Sequence, residues 1–388
     1  MTVMQRIYVD NAATSFPKPE SVYAAVDHFQ RELGTAVGRG ATRSSLTVQG
    51  VVDRCRARAA RLLGARRAEQ VLFTFNGTDS LNLALHGLLH PGDRVIASPW
   101  EHNSVLRPLK ALAASGVTTT YLSPTAAGTF DLNELQQALQ QPTRLVVLTH
   151  ASNVTGAIQP VAEAIDLAHQ SGALVLIDAA QSAGHIPVHM GELQADLIAC
   201  PGHKGLLGPL GTGLLLVREG LERELAPIRQ GGTGTVSETE DQPNQLPSRY
   251  ESGNHNAPGL FGLETSLAWL ESQSLATLRE HELELTAALL SGLQEIPGII
   301  VHGPQEATAR VGVISISLPQ LPPQTFSTLL DEHFGIECRA GLHCAPRAHA
   351  ALGTLAAGGT VRFSPGPFTT LEEIESILDA VAQIAASV

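Results

Sequence analysis

A chain of 388 residues with 43% hydrophobic residues is long enough for a large domain plus a smaller one. Its formal charge of −12 argues against nucleic acid as a partner, because phosphate binding needs concentrated Lys and Arg. No apolar run approaches the ~20 residues that cross a bilayer, so a membrane span is not expected.

The first ten residues read as a short strand without the apolar core of a signal peptide, and a cytoplasmic location is expected. Strand-like apolar runs follow at residues 71–75, 94–98, 144–149, 173–177 and 195–199, with a helix at 79–89. This alternation signals an α/β fold. Residues 213–217 return after a glycine-rich turn and are expected antiparallel to their neighbours. Residues 235–248, polar and carrying two prolines, read as a mobile loop. One long helix over about 260–293 is expected to lead into a C-terminal unit. That unit holds strands at 311–317, 335–339 and 360–363 and a last helix opened by Thr370-Leu371-Glu372-Glu373, a capping box. Cys55, Cys200, Cys338 and Cys344 suggest neither a disulfide framework nor a zinc site. His86 and His90 lie one helical turn apart without a third ligand, so no metal is expected.

The chain has three lysines, Lys18, Lys110 and Lys204. Lys204 directly follows a buried-looking strand, in Cys200-Pro201-Gly202-His203-Lys204-Gly205. An amine held in a partly dry site loses its proton near neutral pH and condenses with an aldehyde. The plain alternative is a lysine in a strand-to-strand turn. Asp178 ends another apolar run, where a carboxylate is costly to bury without a cation such as a protonated ring nitrogen. Asn76-Gly77-Thr78 opens a helix whose N–H groups suit a phosphate, although a simple N-cap accounts for it equally. An acid for a pyridinium, a reactive lysine and a phosphate-binding helix start together describe a pyridoxal-phosphate site. Cys344 lies on a loop between Arg339 and His343, a setting for a reactive thiol. Arg362, in a short strand, is either a fork for a substrate carboxylate or half of a surface ion pair.

With these residues in place, the chain resembles the class V aminotransferase family of fold-type I pyridoxal-phosphate enzymes. Within it, the chain resembles cysteine desulfurases of the group that includes selenocysteine lyases. The most specific motifs are Glu101-His102-Asn103-Ser104, Ser152-Asn153-Val154-Thr155-Gly156, Asp178-Ala179-Ala180-Gln181, Gly202-His203-Lys204 and Arg339-Ala340-Gly341-Leu342-His343-Cys344-Ala345. The resemblance implies a large, mixed, mostly parallel seven-stranded sheet domain flanked by helices (residues 15–265). It implies a smaller α/β domain from residues 1–14 and 266–388.

By the same resemblance, Lys204 bonds to the cofactor, Asp178 pairs with its ring nitrogen, His102 stacks on the ring and Gln181 contacts its phenolic oxygen. Gly77, Thr78 and His203 hold the phosphate, and Asn254 reaches the phosphate of a partner subunit. Asn153, Arg362 and Arg339 bind the substrate carboxylate. Cys344 takes the substrate sulfur as a persulfide, with His102 the expected base for the substrate thiol. The implied reaction converts L-cysteine to L-alanine in a homodimer, with a sulfur-acceptor protein as possible partner. Selenocysteine lyase, another class V reaction such as transamination or epimerisation, and a non-catalytic sulfur-relay scaffold are the rivals. Two positions depart from the family pattern: Pro201 stands where relatives usually have serine, and Asn254 where they have threonine. The short form of the Cys344 loop suggests a less mobile cysteine.

Overall fold

The structure, a computed structural model, describes residues 6–38 and 40–388. Met1 to Gln5, part of the expected first strand, lie outside the described residues. The strands in chain order are β1 (Ile7–Tyr8), β2 (Val71–Thr74), β3 (Arg94–Ala97), β4 (Thr118–Tyr121), β5 (Leu145–Thr149), β6 (Leu174–Asp178), β7 (Leu197–Pro201) and β8 (Gly213–Val217). They continue as β9 (Ile300–His302), β10 (Ile314–Ser317), β11 (Ile336–Glu337), β12 (Arg339–Gly341) and β13 (Thr360–Phe363).

Seven of these form the large sheet, in the order β2-β8-β7-β6-β5-β3-β4. β3 to β7 run parallel, whereas β8 is antiparallel to both β7 and β2, as expected for the return at 213–217. The central strands are apolar on both faces because helices cover both. Val146, Leu148, Val175 and Ile177 pack in one core with the helices Arg43–Leu63, Val161–Gln170 and Ala257–Gln273. Leu145, Val147 and Leu176 alternate with them and face Gly77–Leu88 and Asn103–Leu112. A third core joins β10 and β13 to the helices Leu275–Glu295, Pro323–Phe334 and Leu371–Ala386. There the antiparallel order is β12-β13-β10-β9, and β1 pairs in parallel with β11.

The sequence reading needs several corrections, and β9 as well as β4 was not among its expected strands. The helix expected over 260–293 is two helices, Ala257–Gln273 and Leu275–Glu295, because Ser274 takes φ 61° and ψ 139° and its side chain caps the second. The strand expected at 335–339 is two, since β11 pairs with β1 and β12 with β13. β4 was not expected, and its residues Thr118, Thr119, Thr120 and Tyr121 lie half-exposed or exposed on the sheet edge. The capping box at Thr370 is present, with Thr370 and Glu373 exchanging side chain-to-backbone bonds.

Candidate active site

In an open α/β sheet, ligands collect beyond the carboxyl ends of the parallel strands. Thr149, Asp178 and Pro201 occupy those ends on β5, β6 and β7. Lys204 follows β7 through a turn with no room for other side chains. A Cβ on Gly202 would lie 2.2 Å from Thr212 Oγ1, and one on Gly205 would lie 2.4 Å from the Ala183 carbonyl. The Gly202 amide donates to Thr212 O (2.8 Å) and the Gly208 amide to Gly202 O (2.7 Å), so the backbone is tied on both sides.

Asp178 is 4% exposed, and its Oδ1 accepts from the Ala180 amide at 2.9 Å. Burial raises its pKa, opposed by that amide and by the charge on Lys204. Burial also pushes the Lys204 amine down to about 8; Asp178 opposes the shift, and Arg362 and Arg339 add to it. Lys18, which the sequence placed in a loop, shows a similar drop to about 8 from burial alone, its Nζ donating to Ser15 O and Oγ. Placement beside Asp178, rather than basicity, singles out Lys204.

Asp178 and Lys204 share one cleft with Gly77, Thr78, His102, Asn153, Gln181 and His203. Asn76 caps the helix Gly77–Leu88 by accepting from the Asp79 amide at 2.9 Å. Its first turn faces Pro201, whose Cδ would lie 3.2 Å from a Cβ on Gly77. Thr78 Oγ1 lies 2.7 Å from Ser104 Oγ, which lies 2.8 Å from His102 Nδ1. The Ser104 amide also donates to His102 Nδ1, at 3.0 Å. A backbone N–H only donates, so Nδ1 is unprotonated and Nε2 carries the hydrogen. Burial and the charge on Lys204 bring the His102 pKa down to about 4, which keeps the ring neutral. His102 therefore presents an N–H donor, and its expected role as base for the substrate thiol does not fit this tautomer. His203, brought down to about 4 by burial, has a buried Nδ1 without a partner among the described residues. Gln181 donates from Nε2 to Ala12 O at 2.9 Å.

The Cys344 loop adjoins this cleft. The Asn153 Nδ2 donates to His343 O at 2.6 Å, and the Asn103 amide donates to Cys344 O at 2.7 Å. Arg339, half-buried on β12, points Nη2 at Cys344 Sγ at 3.8 Å. Arg362 is 1% exposed and is in an ion pair, though a buried one: Nη2 donates to Asp10 Oδ1 at 2.6 Å and Nη1 to Asn153 O at 3.0 Å. Asp10, Asn103 and Ser104 were given no role from sequence, although Asn103 and Ser104 lie inside a motif that carried the resemblance. Asn254 lies elsewhere, on an exposed turn of a separate hollow with Phe75, Gly211 and Arg229. Cys200, inside β7, is fully buried, and its thiol is pushed up to about 12.

The donor set suits a ligand with an anionic end at Gly77–Thr78 and a cationic ring nitrogen at Asp178. The fit rests on a buried carboxylate that shares the cleft with Lys204 and on a buried His203 Nδ1 with no partner among the described residues.

Known proteins resemble the chain over nearly its whole length. A probable cysteine desulfurase of Methanothermobacter thermautotrophicus is 34% identical over 384 residues, covering 98% of this chain and 94% of the relative. An apo structure of a cysteine desulfurase from Thermococcus onnurineus NA1 superposes with a TM-score of 0.92 at 33% identity, covering 99% of this chain and 95% of the other. The cysteine desulfurase CsdA (S-sulfonic acid) from Escherichia coli gives 0.88 at 29% identity, covering 98% and 94%. Enzymes of these families depend in general on pyridoxal phosphate. The model of the aminotransferase class-V family matches residues 7–377, and the chain belongs to that family.

Proposed function

We propose that the protein is a pyridoxal-phosphate-dependent cysteine desulfurase that converts L-cysteine to L-alanine and carries the sulfur on Cys344. The observation that carries this reading is the Cys344 loop bonded to Asn103 and Asn153, the former beside His102 and the latter in the cleft of Lys204 and Asp178. A transaminase or an epimerase has no use for a thiol held there.

Bound in the cleft, pyridoxal phosphate supplies an electrophilic carbon for the substrate amine and a ring that accepts the electrons left on Cα. The amides and hydroxyl at Gly77 and Thr78, with His203 Nδ1, would hold the phosphate. Asp178 would accept a hydrogen bond from the protonated ring nitrogen. Gln181 and the Nε2–H of His102 lie in the cleft as further donors. Lys204, with a pKa near 8, has a deprotonated fraction at neutral pH and can take the Cα proton and return it. Arg339 and Arg362 supply positive charge for the α-carboxylate. Asn153 Oδ1 takes no part in the bond to His343. The Cys344 thiolate would attack the substrate sulfur: the substrate C–S bond breaks, an S–S bond forms on Cys344, and the carbon product takes up protons and leaves as L-alanine. No oxidant is consumed.

A homodimer is part of this reading. Asn254 lies on an exposed turn outside its own cleft, where a second copy rather than its own chain would receive it. A cytoplasmic enzyme that passes sulfur to an acceptor protein fits a chain with no helix, among the described residues, long and apolar enough to cross a membrane.

The test is alanine and sulfide release from L-cysteine, with reductant, by wild type and Cys344→Ala. Stoichiometric alanine and sulfide from wild type with near-complete loss in the variant supports the reading. Equal activity in both would make Cys344 structural and remove desulfuration through this thiol.

A further inference from the structure

The backbone around the reactive thiol is held in a conformation that side chains resist. His343 and Cys344 are consecutive non-glycine residues with φ of 47° and 57°, both in the left-handed region where a Cβ crowds the backbone. Such residues persist where surrounding bonds over-determine them. Here the bonds come from outside the loop. The carbonyl of His343 accepts from Asn153 Nδ2, and the carbonyl of Cys344 accepts from the Asn103 amide. Both donors belong to the segments at the ends of β3 and β5, whereas the loop follows β12 in the other sheet. The loop's own turn adds the Ala345 amide to Leu342 O at 2.8 Å, the His343 ring bonds Thr360 Oγ1 at 3.1 Å, and Arg339 Nη2 reaches Cys344 Sγ at 3.8 Å.

We propose that the Asn103 amide and the Asn153 side chain are a two-point clamp that positions Cys344 against the cleft, and that releasing the clamp lets the loop relax and expose the thiol. The inference rests on the reading of Cys344 as the sulfur carrier. It assigns to Asn103 a positioning role made wholly by its backbone and adds a second role to Asn153. Two bonds from segments outside the loop would hold it docked, and their loss would let it leave that position. Docked, the thiol faces the site where sulfur is taken up. Released, it is open to an acceptor or to solvent.

The clamp allows a clean test because Asn103 is the first residue of the helix Asn103–Leu112. Proline is well tolerated at that position, where the missing N–H takes no part in the helix ladder. His102, at φ −71° and ψ 157°, already has the extended backbone required before proline. Asn103→Pro therefore deletes the bond to Cys344 and leaves the cleft side chains in place.

The readout is the rate at which iodoacetamide alkylates Cys344 in the holoenzyme, followed by peptide mass spectrometry, together with the cofactor absorbance. In Asn103→Pro, alkylation should rise roughly three- to tenfold, the worth of one net hydrogen bond, with unchanged absorbance. Asn153→Ala should also raise it, and kcat should fall more than KM rises in Asn103→Pro. A wild-type alkylation rate in Asn103→Pro with the cofactor bound would overturn the clamp. Alanine release by the wild type checks the underlying reading separately: no alanine, with faster alkylation in the variants, would refute the desulfurase and leave the clamp standing.

Discussion

Asp10 Oδ1 and Arg362 Nη2 stand 2.6 Å apart, joining the N-terminal segment to β13 across 352 positions of sequence. The guanidinium is sealed from water, the carboxylate is one-fifth exposed, and burial lowers the Arg362 pKa while Asp10 opposes the shift. A buried cation with one carboxylate partner is costly to leave alone.

Asp10→Asn should therefore destabilise the fold by about 3 kcal/mol, at the lower end of the range for breaking a buried pair because Asp10 keeps some water. Urea unfolding at pH 7 measures it. A loss below about 1 kcal/mol would mean that the pair behaves as a surface ion pair despite its burial.

The depressed pKa of Lys204 is a stability cost with a definite sign. The unfolded value is 10.5 and the folded one about 8, so between these the unfolded chain binds more protons and stability rises with pH. Below pH 8 the full cost of holding the ammonium is present. Lys204→Met should make the cofactor-free protein more stable than wild type at pH 7, by about 2 kcal/mol after allowing for water in the cleft. The gap should narrow as pH climbs from 8 toward 10.5. Thermal melts across that window decide it; a constant gap would assign the gain to packing instead.

Lys204 and Asp178 stood out in sequence because Asp178 ends an apolar run and Lys204 follows another through a short glycine turn, and charges so placed require a reason. The central strands were legible for the same reason: apolar on both faces, they stand out from the helices that cover them. β4 carries Thr-Thr-Thr-Tyr on an edge with one neighbour, so burial left no pattern to read. The break at Ser274 involves neither glycine nor proline, and a helix-compatible residue there disclosed nothing of its left-handed backbone. Arg362 was read as a carboxylate fork or a surface pair because its partner lies at the other end of the chain. The tautomer of His102 depends on a hydrogen bond from Ser104, which residue types alone do not reveal.

Glu101 is fully buried, with Oε1 accepting from Ser98 Oγ at 2.5 Å and from the Thr149 amide at 2.8 Å, while Oε2 has no partner among the described residues. Burial, with the nearby charge of Asp178, pushes its pKa up to about 8 although the two bonds oppose the shift. The folded state thus binds more protons than the unfolded one between 4.5 and 8. The contribution is complete below pH 4.5 and is lost as pH rises through about 8. Glu101→Gln keeps an acceptor for the Thr149 amide and cannot ionise. It should remove this part of the decline in stability between pH 5 and 8, whereas Glu101→Ala should cost about 3 kcal/mol through cavity and lost bonds. Denaturant midpoints at pH 5, 6.5 and 8 separate the two; a Glu101→Gln curve parallel to wild type would show that Glu101 is already ionised at pH 5.

Pro201 closes β7 opposite Gly213 and packs under the start of the helix Gly77–Leu88. It offers neither a hydroxyl nor an N–H, at a position where serine is expected from relatives. Serine there would keep the strand and add one donor beside the helix start, where a phosphate dianion would gain a charge-assisted bond. Pro201→Ser should therefore tighten pyridoxal-phosphate binding by roughly tenfold or more, the worth of a hydrogen bond to a charged group. Equilibrium dialysis against the cofactor, read by absorbance, measures this without any turnover. Weaker binding in the variant would mean that the packing of the pyrrolidine ring against Gly77 matters more than the missing donor, and that this chain uses Pro201 to set the helix start.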